Sequence, residues 1–548
     1  MATTFRDLPN NVSEGWFTDR SLRRNLGAAA VCWLGSFVIG YDGSYMNVRF
    51  APLFLPSLRA ALLPSSHPDQ QSWAAQGLQS MESWNSYFDT PSGNRLGIIS
   101  AASYLPSLVI LPVISLMCDH LGRRTTALVG CAAVIVGALV GAFAKNEGML
   151  IAGRAIVGPA GSFVALATNL LCNEILHPRF RSVGSAFFLV FYYIGSIASS
   201  LTTFGVVAGE WEGEWSWRLP TLLQALGPML IIALIPFVPE SPRFLLARGQ
   251  RDKAIRTLAH HHSNDKEDDP LVLFELDEIE SALARERANK QGFSSFLSTK
   301  GNRHRLLILL TSATGSQGNG VAVISYYLTP VLRLAGITQP VRQTGLNLGL
   351  QVFNLLMAGG GAALVERVGR RPLWMFSTAA MLVCFVGLLG TSAGFAQTGK
   401  TSIGFASVAF IFLSYGAYDI AWTPLAYSYV TETLPYSMRA SGMALFVWCQ
   451  NATLCANQWI NPIGLDAAGW KFYFVFIATL IFFNVMIYFY FVETKGLSLE
   501  EVALIFDDNA GTTLEQQKEA ADAQLKLSRK QLEVQHLEDM ETKDVESV

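Results

Sequence analysis

Charge is scarce in this chain: 15% of its 548 residues are Asp, Glu, Lys or Arg, 51% are hydrophobic, and the net charge is −2. So little charge cannot cover soluble domains of this total length, so the default class is a membrane protein. The near-zero net charge also excludes a nucleic-acid partner, because phosphate binding needs a concentrated basic face. Cysteine is sparse as well. All seven (Cys32, Cys118, Cys131, Cys172, Cys384, Cys449, Cys455) lie in or at the ends of apolar runs without metal-ligand spacing, and they read as small hydrophobes. There is no phosphate-cradling glycine loop and no nucleophile–base pairing, so no enzyme, no cofactor and no metal are expected. Residues 1–24 carry Arg6, Asp19, Arg20, Arg23 and Arg24 and have no apolar core, unlike a cleaved signal peptide. The segment 43–94 has no Asn-x-Ser/Thr, so no glycan is expected on it.

What the chain does have is apolar runs of about 20 residues, the length that crosses a bilayer. They fall near 25–42, 95–117, 125–144, 148–172, 181–207 and 218–238, then near 304–330, 343–365, 372–394, 403–430, 440–463 and 469–492. The expected fold is therefore all-α, with twelve transmembrane helices. Basic residues concentrate in loops of one parity (Arg123, Arg124, Arg179, Arg181, Arg367, Arg370, Arg371, Arg439), which places those loops and both termini in the cytoplasm.

A short polar turn occurs twice, as Asp119-His120-Leu121-Gly122-Arg123-Arg124 and as Glu366-Arg367-Val368-Gly369-Arg370-Arg371, 247 residues further on. In each, glycine lets the chain reverse and paired arginines suit a helix end at an anionic leaflet. Glu174 with Arg181 returns as Glu432 with Arg439 after 258 residues, and Pro239-Glu240-Ser241 as Val492-Glu493-Thr494 after 253. A duplicated unit of about 250 residues follows, giving two pseudo-symmetric six-helix bundles, a common plan for transporters. These charged residues are read as one cytoplasmic gate.

The expected organisation is a cytoplasmic segment 1–24, a first bundle 25–238 with an extracellular loop 43–94, a cytoplasmic helical linker 239–303, a second bundle 304–492, and a cytoplasmic tail 493–548. Leu271, Phe274, Ile279 and Leu283 give the linker an amphipathic period. His260-His261-His262 point in successive directions and sit beside the charged stretch Lys266–Asp269, so they read as part of a solvated loop and not as a metal site.

Ionisable and amide groups inside the runs are costly in hydrocarbon and mark function. Asp42 ends the first run and Arg154 opens the fourth; if they meet, protonation of Asp42 would free Arg154, and a permanent ion pair is the alternative. Asp419 lies mid-run among Tyr415, Tyr418 and Trp422, ahead of the helix-breaking Thr423-Pro424. Gly315-Ser316-Gln317-Gly318-Asn319-Gly320 leads to Tyr326 and Tyr327, with Asn354 and Gln450 at other helix centres. Amides and phenols of this kind suit an uncharged polyhydroxylated ligand, and amides can equally bond helix to helix.

The Asp-x-x-Gly-Arg-Arg turn and its near copy, Glu240-Ser241-Pro242-Arg243-Phe244-Leu245, and Glu493-Thr494-Lys495-Gly496-Leu497 resemble the sugar porters of the major facilitator superfamily, from about residue 25 to 505. Tyr41 to Asn47, Trp422-Thr423-Pro424 and Trp470-Lys471 resemble that family's fungal lactose-permease-like branch. The resemblance implies proton coupling by Asp42 with Arg154, and substrate contact by Gln317, Tyr326, Tyr327, Asn354 and Gln450, with Tyr427 at the usual tryptophan position. Ser316, Ala322 and Leu189 depart from the family's polar residues. It further implies a sugar:proton symporter of a fungal plasma membrane, whose partners are a sugar, a proton and the bilayer. A non-transporting sensor and a carrier of a non-sugar are the alternatives.

Overall fold

The computed structural model describes residues 12, 17, 19–45, 82–89, 93–211, 213–288, 293–323, 340–495, 502, 505 and 506. Tyr326 and Tyr327 lie outside the described residues, as do the side chains of Leu189 and Glu366. Among those described, every regular element is a helix.

Spans 1 to 6 are Arg20–Tyr45, Gly93–Ala101 with Leu105–Leu121, Arg123–Ala142, Glu147–Ile175, Arg181–Ala208, and Trp215–Leu223 with Leu226–Leu234. Spans 7 to 12 are Lys300–Gly318, Pro340–Val368, Arg370–Thr398, Thr401–Thr433, Tyr436–Ala468 and Tyr473–Tyr490. Among the described residues, nine of these twelve positions are long and apolar enough by composition to cross a membrane. Of the other three, span 7 opens on Lys300 and Asn302-Arg303-His304-Arg305, span 8 carries Asn347, Gln351 and Asn354, and span 11 carries Gln450, Asn457 and Asn461. In spans 8 and 11 the lost apolarity comes from amides, and Asn347 and Asn457 use theirs to bond spans 5 and 7.

Each half has its own apolar core. One gathers Cys32, Trp33, Ile114, Cys131, Phe163, Leu171 and Ile231, the other Ile308, Trp374, Phe385, Trp422, Tyr429 and Phe483. Spans 3 and 4 approach through Gly137, Gly141 and Gly153, where small residues bring backbones into contact without a hydrophobic drive from water. All seven cysteines are free. The halves meet where span 5 packs on span 8 and span 2 on span 11.

Two local expectations change. Span 10 runs unbroken through Pro424, with Gly361 of span 8 packed against the carbonyls of Asp419 and Ile420. In a membrane helix, neighbouring elements compensate for the hydrogen bond a proline removes. The break comes in span 7, which stops at Gly318 before Gly320, at φ +93°. The histidine triplet is also no solvated loop: it is the last turn of the helix Arg251–His262, with His261 and His262 buried.

Linker helices Pro242–Ala247, Arg251–His262 and Pro270–Ala288 enclose a small core of Leu245, Leu246, Ala254, Leu258, Val272 and Leu276, with Ile279 and Leu283 packed on it.

Candidate functional site

The duplicated turns build the same ion-pair motif twice. Gly122 (φ +92°) and Gly369 (φ +105°) hold the left-handed conformation that lets one helix end and the next begin. The exposed helix start then offers amides to an acid from the end of its half. Glu240 accepts from Arg123 N at 3.1 Å and Arg124 N at 3.3 Å; Glu493 accepts from Arg370 N at 3.0 Å and Arg371 N at 3.1 Å. The arginine guanidinium reaches a second acid through two nitrogens. Arg123 meets Glu174 at 2.9 and 3.1 Å, and Arg370 meets Glu432 at 3.3 and 3.1 Å. Asp119 lies 3.6 Å from Arg123, while Arg371 donates to the Tyr488 carbonyl at 2.6 Å.

Glu174 and Glu432, which recur with Arg181 and Arg439 at one offset in the sequence, are each held in a fork. Both acids are taken by the turn arginines, whose planar fork matches a carboxylate. Arg181 lies 3.6 Å from Glu275 of the linker, and Arg439 donates to the Leu434 carbonyl at 3.3 Å.

At the centre of the second half, spans 7, 10 and 11 are tied by a polar chain. Tyr427 Oη donates to Gln450 Oε1 at 2.6 Å, Gln450 Nε2 to Ser316 Oγ at 3.1 Å, and Tyr418 Oη to the Ser316 carbonyl at 3.1 Å. Gln317 is half-buried, and its carbonyl accepts from Asn457 Nδ2 at 2.6 Å. Asn354 is buried with its side-chain oxygen unpaired, a group that invites a donor from a ligand. Trp422, expected beside Asp419 to shape the substrate cavity, lies instead in the core of the second half, its indole edge-on to Trp374 at 4.5 Å and beside Phe483 at 5.9 Å.

Hydrogen bonds also cross between the halves. Tyr193 Oη donates to Asp419 Oδ1 at 2.7 Å, Ser196 Oγ to Gln351 Oε1 at 2.8 Å, Asn347 Nδ2 to Ser200 Oγ at 3.1 Å, and Trp459 Nε1 to Asn94 Oδ1 at 3.0 Å. They run from the middle of the spans toward the end opposite the arginine turns. Asp42 and Arg154 do not touch: Gln224 donates to Asp42 Oδ1, and Arg154 Nε donates to the Ile99 carbonyl at 3.0 Å. In this conformation the acid is held by an amide and the arginine by a carbonyl.

The linker is moored to the first half by buried histidine. His262 sets Nδ1 2.6 Å from Glu275 Oε2 and Nε2 3.0 Å from the Ile175 carbonyl. Both partners accept, so both ring nitrogens carry protons and the ring is an imidazolium. Burial alone would push its pKa down, but the Glu275 charge, its hydrogen bond and the Ile175 carbonyl outweigh burial and raise it. His177, 5.1 Å away ring to ring, accepts from Arg179 N and stays neutral, its pKa lowered to about 2 by burial and by the charges of His262, Arg179 and Arg181.

Glu240 and Glu493 were legible in the sequence as a pair with nearly the offset of the turns. Tyr193, Gln224, Gln351 and Glu275 had no comparable signal, because their partners lie more than a hundred residues away or on another element with no local pattern.

Two helical bundles with a polar centre and a duplicated ion-pair motif at one end are the build of a multi-pass membrane transporter. The family profile described as "Sugar (and other) transporter" matches residues 28–506, and the chain belongs to that family. It is 28% identical over 401 residues to the MFS-type transporter oryC of Aspergillus oryzae, covering 71% of this chain and 73% of that one. It is 26% identical over 447 residues to the high-affinity glucose transporter of Kluyveromyces lactis, covering 78% and 80%. Its fold is similar to a partially occluded inward-open structure of the xylose transporter XylE from E. coli, with a TM-score of 0.68 at 17% identity, covering 87% of this chain and all of that one.

Proposed function

We propose that the chain carries a sugar across the plasma membrane by alternating access, with proton symport, and with its termini and arginine turns in the cytoplasm. The observation that carries the reading is the chain Tyr427–Gln450–Ser316–Tyr418 beside the half-buried Gln317 and the unpaired Asn354 oxygen. These groups offer donors and acceptors without net charge, as a neutral polyol requires. Asp42, with Arg154 nearby in the same half, is the proposed coupling acid. The cross-bundle bonds lie away from the arginine end, so this conformation is closed outside and open to the cytoplasm. A relative named for glucose and a fold neighbour named for xylose support the substrate class.

A second reading, transport of a non-sugar organic molecule, is favoured by the buried acid Asp419 among tyrosines. Both are tested with purified protein in proteoliposomes, by counterflow of labelled glucose, xylose and lactose and by uptake under an imposed pH gradient. Saturable counterflow of at least one sugar, with accumulation driven by the gradient, is expected. Indifference to all three would remove the sugar reading, and uptake unaffected by the gradient would remove symport.

A further inference from the structure

Asp419 sits near the middle of the 33-residue helix of span 10 and is 1% exposed. Its two oxygens are treated differently. Oδ1 accepts from Tyr193 Oη at 2.7 Å and from Thr423 Oγ1 at 2.7 Å, whereas Oδ2 is buried with no partner. Among the described residues, no ion pair includes this acid. The titratable groups that face it are phenols: Tyr192 and Tyr193 from span 5, and Tyr415 and Tyr418 from its own helix. Span 8 presents the backbone of Gly361, and span 9 presents Ser377, whose hydroxyl bonds the Ala417 carbonyl. Tyr192 also feels Asp42, and its hydroxyl abuts Gly43, so the two neighbouring tyrosines stand between the acids of the two halves.

We propose that Tyr193 and Asp419 form a proton-controlled clasp between the two halves of the transporter, additional to the acid of span 1. The partners belong to different halves, so rocking the halves apart must break their bond. An uncompensated carboxylate inside a membrane protein is costly, and each hydroxyl donor offsets part of that cost. A hydrogen bond to an ionised acid is roughly twice as strong as one to a neutral acid. Ionised Asp419 therefore holds Tyr193 and keeps the halves together, and protonated Asp419 lets them part. By linkage the converse holds: parting the halves favours the proton, and closing them expels it. The proton adds to a carboxylate oxygen and leaves from it, so nothing is oxidised and no co-reactant is needed. The unpartnered Oδ2 is the atom that takes it. The inference rests on the alternating-access reading, and its direction rests on the conformation being open to the cytoplasm: the proton is released toward the arginine end while the clasp is shut.

The test needs no substrate. Purified full-length protein in lipid nanodiscs is titrated while its infrared spectrum is recorded, and a carboxylic-acid carbonyl band that grows as pH falls is assigned by its loss in Asp419→Asn. Removing the bridging donor with Tyr193→Phe should raise the midpoint of that band by about one pH unit, on the usual effect of a hydrogen bond to the charged form. Asp42→Asn should leave the band in place. If Asp419→Asn does not fold, Thr423→Val, which removes the donor on the same helix, should shift the band on its own. A titrating band that Tyr193→Phe does not move, or no band traceable to Asp419, overturns the clasp. Proteoliposome uptake without proton movement would remove the symport reading while leaving this spectroscopic result intact, so the two failures are distinguishable.

Discussion

The guanidinium of Arg123 meets the carboxylate of Glu174 through two nitrogens, 51 residues apart in sequence, and Arg370 repeats the arrangement on Glu432. Each fork joins the start of one helix to the end of another within the same half, while the helix-start amides hold Glu240 or Glu493. The motif therefore makes each bundle rigid at one end, which lets two halves move as bodies.

Removing one partner of such a pair should destabilise the half that contains it. A fully buried pair broken on one side costs about 3–5 kcal/mol, and partial exposure of Glu174 and Glu432 brings the expectation to about 1–3 kcal/mol. Arg123→Ala and Arg370→Ala should each lower the melting temperature in detergent, measured by intrinsic fluorescence, with Arg123→Ala the larger because that arginine is the more buried. Equal melting curves for both variants and the parent would show that the forks contribute nothing.

Gly369→Ala tests the turn itself. A Cβ there would sit 2.8 Å from Glu493 Oε2 in a left-handed conformation that side chains avoid, at a cost of about 1–3 kcal/mol. The variant should fold with lower thermal stability, and Gly122→Ala should match it because its Cβ would meet Glu240 Oε2 at 2.6 Å. Gly249, also at positive φ but with open space around it, serves as the control and should cost less.

Substrate contact is tested at two amides with different surroundings. Gln450 already bonds Tyr427 and Ser316, so Gln450→Ala removes packing order as well as any ligand contact. Gln317 offers its amide from a half-buried position. A lost hydrogen bond to a neutral hydroxyl is worth about 0.5–1.5 kcal/mol, so Gln317→Ala should raise KM about two- to tenfold for whichever sugar is carried. Unchanged KM with normal expression would place the ligand elsewhere.

The histidine mooring gives a pH dependence with opposed parts. His262 has a raised pKa, so its contribution to linker docking is complete below the ordinary histidine value near 6.5 and is lost as pH rises through the raised value. His177, which the linker's His262 packs against, is a base held neutral with its pKa at about 2, so it binds a proton when the linker is undocked that it refuses when the linker is docked, and docking weakens as pH falls below about 6.5. Limited proteolysis of the linker across pH should show loosening at both extremes. His262→Gln should abolish the alkaline arm alone. A variant with both arms unchanged would remove His262 from the mooring.

The sequence by itself determined the all-helical, twelve-span plan and the order of the spans, because bilayer thickness fixes a run of about 20 apolar residues and water fixes the charged turns between them. It also determined the twofold plan, since a repeated offset survives without any knowledge of contacts. Partner choice was left to tertiary structure. Glu174 is as near in sequence to Arg181 as a helix end allows, yet it goes to Arg123, whose fork reaches it from the next helix, while Arg181 turns to the linker acid Glu275. Tyr193 and Asp419 are separated by 226 residues, and only the packing of one half against the other brings them to 2.7 Å. Local periodicity records which face of a helix is polar; which polar group it meets depends on rigid-body placement of helices, and that is set by the summed packing of both cores.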